Sequence, residues 1–545
     1  IADVPAAERD RVRIEMARLY FAHGFGTESW ALLNHIGTKL PDLFARPEYR
    51  ILHGAARILA GDADGGLEDL AMEELANVPD RALWEALAHA TRRDYAAAAP
   101  KFAATINLID KLPEPLFTRF ATLALESLIA TKQTAKAEQW LENWRLSRNH
   151  AAFLATPAAA YLRGAILYST GNHERAVKEW RVAAASNDRL YRTRAELVLV
   201  DYDMVNGKLT AAAAAQRLEG LRFAWRGDAL EWDILHRLTL YDFQAGKFRD
   251  GFANFERANK LYPDLADSGT FRRAIADKFR DILTTKLGAG LTALEALSLY
   301  QDFRYLITDS AEARPIIRAL TERLVAIDLL DQATQLLEEL LPAAKGVDKA
   351  QIGARLAGIQ LLNHQPEKAL AALTASQSDG LDDALIRERQ LLQARARSDM
   401  NDAEGAKSLL TNRTDVPAQL LLGDIAWRAA HWSEAAAAFS RALAAPPAAD
   451  ATLDEEQAAL AVKTATALAL SDDRAGLGKL ANAYGPAMAA TPQHEIFAML
   501  TQPEDSANIR DIAQAAMQAS DTDLFRKFLD RYRGAPPPEP PKAKP

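Results

Sequence analysis

The residues able to do chemistry are thinly spread in this chain. Ten histidines are scattered singly along 545 residues. His173-Glu174 and His494-Glu495 begin as a zinc-peptidase helix does, but neither has a second histidine four residues after the first, so no two-histidine ligand face forms. There is no cysteine, which removes disulfides, cysteine-ligated zinc, iron–sulfur clusters and thiol nucleophiles together. Gly288-Ala-Gly290 and Gly476-Leu-Gly478 lack the third glycine and the preceding strand of a phosphate-binding turn. No Gly-x-Ser-x-Gly elbow occurs. The acidic doublets Glu338-Glu339, Asp382-Asp383 and Asp472-Asp473 read as solvated faces and helix caps, because acid–base work needs a buried pocket that separates two pKa values. Asn412-Arg-Thr414 fits the glycosylation acceptor pattern, a three-residue match that arises often by accident. No catalytic residue, metal or cofactor is expected, and the chain reads as non-enzymatic.

One block is chemically dense. Between Leu218 and His236 lie Arg222, Phe223, Trp225, Arg226, Asp228 and Trp232. Aromatics beside arginine are the residue types that dominate protein-binding hot spots. The alternative is that Phe223, Trp225 and Trp232 are core wedges, with Arg226 and Asp228 paired at a helix turn.

The elements that must position these residues repeat along the chain. From Gly164 the sequence steps to Gly171, Ala176, Trp180 and Ala183. The same frame returns as Gly246, Gly251, Phe255 and Ala258 before Pro263. It returns again as Gly423, Ala430, Ala435, Phe439 and Ala442 before Pro447, and near the start as Ala17, Gly24, Ser29, Leu33 and Ile36 before Pro41. Weaker copies centre on Gly61 and Gly66, Ala98 and Phe102, Ala137 and Trp144, Gly207 and Ala212, Ala333 and Leu337, Ala369 and Leu373, and Ala406 and Leu410. A glycine between two amphipathic helices admits a left-handed turn. The small residue after it lets the second helix approach the first, the aromatic wedges between repeats, and proline ends the pair. Alanine runs such as 211–215 and 435–438 favour helix throughout.

This spacing resembles the tetratricopeptide repeat family, whose unit is a pair of antiparallel helices. The resemblance implies an all-α fold, a right-handed superhelix of antiparallel helix pairs in two lobes. Expected boundaries are a first lobe over 1–263, an irregular helical junction over 264–315, a second lobe over 316–533 and a proline-rich tail over 534–545. Taken as whole text, the 218–236 block, Leu329-Leu-Asp331 and residues 473–477 are similar to large alphaproteobacterial envelope-associated repeat proteins.

In such arrays the first helix of each pair lines a concave groove. That reasoning puts Tyr161, Tyr168, Arg194, Asp201, His236 and Phe243 on a binding face, with Trp427 and Arg428 in the second lobe and Arg222 and Arg226 in the dense block. The same residues read otherwise as completing the core within each repeat. Relatives that grip acidic chaperone tails use Lys and Asn at regular first-helix positions. Here those positions hold Tyr161, Leu197 and His236, then Ala165, Asp201 and Leu240, which argues against that role.

A net charge of −8 and a pI near 5.8 give no electrostatic reason to expect nucleic acid as a partner. No stretch approaches the roughly 18 apolar residues of a membrane span. The first residue is Ile1, which leaves room for a removed signal peptide, membrane anchor or upstream domain, and any membrane association would run through such a segment. The expected function is a protein-binding scaffold, an assembly or accessory component of a bacterial envelope or motility machine. The alternative is a regulatory or substrate-binding subunit of an envelope polymer synthesis or degradation complex. Protein partners are expected, self-association is open, and the expected location is periplasmic or envelope-associated, with cytoplasmic as the alternative.

Overall fold

The computed structural model describes residues 5, 8–266, 269–445, 452–501, 509–519 and 525–533. The proline-rich tail and Pro447 lie outside them. Helices follow one another with no strand among the described residues, and none is long and apolar enough to cross a membrane. The chain divides into two compact units, residues 1–268 and 269–545.

Unit 1 is seven helix pairs: α1 (Arg9–Ala22) with α2 (Gly26–Lys39), α3 (Pro47–Leu59) with α4 (Ala63–Leu70), α5 (Asp80–Thr91) with α6 (Tyr95–Ile109), α7 (Glu114–Ala130) with α8 (Thr134–Leu146), α9 (Pro157–Ser169) with α10 (His173–Ala184), α11 (Arg189–Val205) with α12 (Ala211–Ala224), and α13 (Ala229–Gln244) with α14 (Phe248–Leu261). Odd-numbered helices are the first of each pair. From α3 to α11 they also touch one another from pair to pair, and Arg237 and Tyr241 join α13 to α11, so side chains at i and i+3 or i+4 build one shared face.

Unit 2 opens with α15 (Thr270–Thr284) and α16 (Ala293–Phe303). Its pairs are α17 (Ser310–Ala326) with α18 (Leu330–Leu340), α19 (Gly346–Leu362) with α20 (Pro366–Ala375), α21 (Asp383–Asp399) with α22 (Ala403–Leu409), α23 (Val416–Arg428) with α24 (Trp432–Ala442), and α25 (Glu455–Leu470) with α26 (Arg474–Met488). Three further helices follow: α27 (His494–Thr501), α28 (Ile509–Ala519) and α29 (Arg526–Asp530), the last running into a 3-10 turn over Arg531–Arg533. The segment 264–315, read from the sequence as an irregular helical junction, lies in unit 2 from residue 269 onward. Its helix α15 packs on α17 through a buried stripe of Phe271, Ile275, Phe279, Ile282 and Leu283, which makes it the leading layer of unit 2.

The turn inside each pair is built one way throughout. A single residue after the first helix takes a left-handed φ, here Gly24, Gly61, Gly171, Gly207 and Gly246, but also Arg93, Lys132, Asp328, His364, Asn401, Ala430 and Asp472. Aspartate and threonine side chains then accept backbone N–H groups at helix starts: Asp94, Thr156, Asp188, Thr210 and Asp228 in unit 1, and Asp382, Asp402 and Asp473 in unit 2. Each such cap stabilises by about 1 kcal/mol. The doublets at 382 and 472 are therefore turn and cap residues.

Packing within pairs explains the repeat spacing. A Cβ on Gly164 would stand 2.4 Å from the Trp180 ring, and one on Gly423 would stand 2.2 Å from Phe439. Each aromatic thus lies flat on its own pair's glycine. Trp180 also shares a cluster with Ala195 and Leu199 of the next helix, so it joins neighbouring pairs as well. Larger cores lie under α3–α9, around Trp84, Phe102, Phe117, Phe120 and Phe153, and under α23–α28, around Phe439, Met488 and Phe497.

Candidate protein-binding face

Four first helices of unit 1, α7, α9, α11 and α13, bring polar and aromatic side chains to one face. Its centre is Glu126 on α7, which accepts the Arg194 guanidinium at 2.5 Å and the Tyr191 hydroxyl at 3.2 Å, both from α11. The glutamate and arginine side chains keep only 11% and 18% exposure, so water does little to screen the pair. The Arg194 guanidinium also lies 5.3 Å from the Tyr191 ring centroid. Tyr161 of α9 sits 5.8 Å from Tyr191, ring to ring. Further along, Asp201 on α11 accepts Arg237 at 2.6 Å and the Tyr241 hydroxyl at 2.7 Å, both from α13. His236 stacks on Trp232 one turn before it, at 5.8 Å.

The electrostatics join these groups into one field. Burial pushes the Tyr191 hydroxyl up, and the Glu126 charge pushes it further. Tyr161 is raised by burial and lies within the fields of Arg194, Glu126, Arg237 and Asp233. For Arg194, burial opposes the charge, but Glu126 overrides it and the pKa rises. Burial raises Asp233, partly offset by Arg237 and by Arg93 of the turn after α5. Burial and Arg237 lower His236. The contacts themselves run from Glu126 on α7 to Tyr241 on α13.

The expected residues divide on this geometry. Tyr161, Arg194, Asp201 and His236 come together on the face. Tyr168, at the far end of α9, is 41% exposed and meets His173 at 4.5 Å and Trp180 at 5.4 Å. Phe243 is a correction: it is buried, 4.8 Å from Phe252, and fits the space left by the absent Cβ of Gly251. Its ring completes the core of its own pair and presents no face to a partner.

Arg222 and Arg226 lie elsewhere, flanking the exposed Phe223 ring at 4.8 and 5.9 Å near the end of α12. Arg222 also pairs with Glu219. Asp228 bonds the Trp225 indole at 2.8 Å and caps α13 through the Leu230 N–H. In unit 2, Trp427 is half-buried, 5.4 Å from Trp432 and 6.1 Å from Phe439. Exposed Arg428 pairs with Asp399 at 3.1 Å.

Sequence reasoning missed Glu126, Tyr191, Asp233, Arg237 and Tyr241. Tyr191 stands one turn before Arg194 and Asp233 one turn before His236, a spacing that places them on the same helix face. Among the described residues no group of His, Asp or Glu is placed to hold a metal ion. The buried His53 of α3 bonds Asp69 at 2.7 Å and Asn34 at 2.8 Å, which ties α2, α3 and α4 together.

No protein-family model matches the chain, and no curated protein matches it. Among solved structures it is similar to a chain of the APC/C hetero-tetramer Cut9–Hcn1, at 14% identity, covering 90% of this chain and 98% of that one with a TM-score of 0.24. It is also similar to a chain of Naa15/Naa10 bound to HypK-THB, at 14% identity, covering 96% and 92% with a TM-score of 0.25. Likeness at these TM-scores carries no argument, and the repeat fold rests on the helix pairs themselves.

Proposed function

We propose that the chain is a non-enzymatic protein-interaction scaffold that takes a partner segment along the first-helix face of unit 1. The observation that supports this is the meeting of side chains from four repeats: Tyr191 and Arg194 bond Glu126, Tyr161 packs on Tyr191, and Asp233 beside His236 lies within the field of Arg194. Tyrosine and arginine offer contact area and directional hydrogen bonds at low entropic cost, and here they are held in place before any partner arrives.

A photo-crosslinking residue at His236, compared with one at Val182 on the exposed side of α10, tests the assignment in cells. Partner adducts should form from position 236 and be weak or absent from 182. Equal yields, or adducts from 182 alone, would overturn the face. The finer reading is an accessory role in a bacterial envelope or motility machine. It is supported by the absence of cysteine and by the textual resemblance of the 218–236 block. Recovery of the adducts with envelope-machine components would support that role, and recovery with cytoplasmic proteins alone would sink it.

A further inference from the structure

The corresponding face of unit 2 already holds a segment. After α28 the chain returns over α17, α19 and α21 as α29 and its 3-10 turn. Phe525, Phe528, Leu529 and Tyr532 stand at i, i+3, i+4 and i+7, the spacing by which an amphipathic helix seats in a groove. Phe525, Leu529 and Tyr532 are buried at 0%, 3% and 3% exposure. The receiving side is fitted to them. Gly358 of α19 leaves room for the Tyr532 ring, since a Cβ there would stand 2.6 Å from it. Arg355 lies 5.3 Å from that ring and Arg395 lies 5.4 Å from Phe525. Glu388 of α21 accepts the Tyr532 hydroxyl and, at 2.9 Å, the Arg531 guanidinium.

A helix this short has no stability of its own and keeps its form only while seated. Its polar contact also sits near water, with Arg531 at 45% and Glu388 at 32% exposure. We propose that the α17–α19–α21 face is a recognition site for a short helix with aromatic residues at i and i+3, leucine at i+4, and an arginine–tyrosine pair at i+6 and i+7. In the free chain the site is held in cis by residues 525–532. A partner helix of the same pattern binds by displacing them. Attachment to the same chain gives the resident segment a high effective concentration, so an incoming helix must exceed it in affinity or in amount.

The test uses the full chain and a synthetic peptide of residues 525–533. Because the chain has no cysteine, Arg533→Cys carries a single environment-sensitive dye beside Tyr532. Saturating peptide should release the resident segment and change the dye signal. The double variant Phe525→Ala/Tyr532→Ala should bind labelled peptide roughly tenfold or more tighter than the unaltered chain, because its own segment no longer competes. Gly358→Ala should change the dye signal without added peptide and weaken peptide binding, while circular dichroism holds steady, since alanine favours helix over glycine. Unchanged dye signal together with equal peptide binding by all three proteins would overturn the proposal. Dye release accompanied by dimers in light scattering would overturn the cis assignment and name a second copy as the occupant.

Discussion

Both units carry a glutamate that accepts a tyrosine hydroxyl and an arginine, but they obtain the donors differently. In unit 1 the acceptor is Glu126, and both donors, Tyr191 and Arg194, come from another first helix of the array. In unit 2 the acceptor is Glu388, and both donors, Tyr532 and Arg531, come from the end of the chain. The first pair is well shielded, at 11% and 18% exposure; the second is wetter, at 32% and 45%. The same chemistry therefore locks repeats together in one place and holds a removable segment in the other. Desolvation decides which, because an ion pair open to water contributes little, whereas a buried charge left alone is expensive.

Removing the two glutamates separates the cases most sharply. Glu126→Ala leaves Arg194 buried beside Tyr191 with its carboxylate gone, and should destabilise unit 1 by about 3 kcal/mol. Glu388→Ala leaves Arg531 facing water and takes the acceptor from the Tyr532 hydroxyl, and should destabilise unit 2 by about 1 kcal/mol, less than the loss in unit 1. Hydrogen exchange read by mass spectrometry follows each unit separately. Equal losses in the two variants would erase the distinction between lock and removable segment.

The glycine–aromatic contacts ask whether the units are otherwise alike. Gly164→Ala drives a methyl into Trp180 in unit 1, and Gly423→Ala does the same to Phe439 in unit 2. Each should cost about 2 kcal/mol through overpacking, read as a fall in the denaturation midpoint. Gly171→Ala meets nothing within 4 Å but must hold a φ of +84°, and should cost about 1 kcal/mol. Ala430 already sits in that conformation at φ +58°. Ala430→Gly should therefore stabilise unit 2 by roughly 0.5 kcal/mol, the relief of left-handed strain less the added chain entropy. A destabilised Ala430→Gly variant would mean that the turn gains from its side chain.

Those turns mark the limit of what could be read in advance. Helix pairing was legible where glycine occupies the left-handed position, as at Gly24, Gly171 and Gly246, or where the full spacing ran through Ala430. At Arg93, Lys132, Asp328 and His364 the same backbone carries ordinary side chains, so the copies there are legible only from the second helix, at Ala98, Ala137, Ala333 and Ala369, and the turn itself is not. The site was legible only in part. Glu126 stands six residues before Lys132, as Asp201 stands six before Gly207, so the two hold equivalent places in their pairs, although only Asp201 is among the residues expected on the face. Phe243 was misplaced because a helical face is a matter of angle, and Gly251 on the facing helix opens the space that draws the ring inward. The return of the C-terminal segment onto α19 and α21 is a long-range contact, which periodicity does not encode.

The smallest expected effect is a pH response confined to unit 1. Burial and the charge of Arg237 hold His236 below its ordinary value of 6.5, while Asp233 and Asp201 pull the other way. Above pH 6.5 the residue is neutral in both folded and unfolded chains and contributes nothing. As pH falls below 6.5 the unfolded chain takes up the proton first, so stability declines until the folded imidazole also titrates. Asp233 works in the opposite direction. Its pKa is raised above 3.8, so its penalty is present at neutral pH and is relieved as acidification protonates it in the fold. Asp233→Asn removes both that penalty and the attraction on the imidazolium. It should move His236 further down, read as the midpoint of its ring resonance in selectively labelled protein. The Glu388–Arg531–Tyr532 contact has no histidine, so exchange at residues 525–533 should stay flat over the interval in which the α13 amides respond. An unshifted His236 in Asp233→Asn would mean that the two groups do not share one field, and the binding face would then have to be drawn smaller, around Glu126 alone.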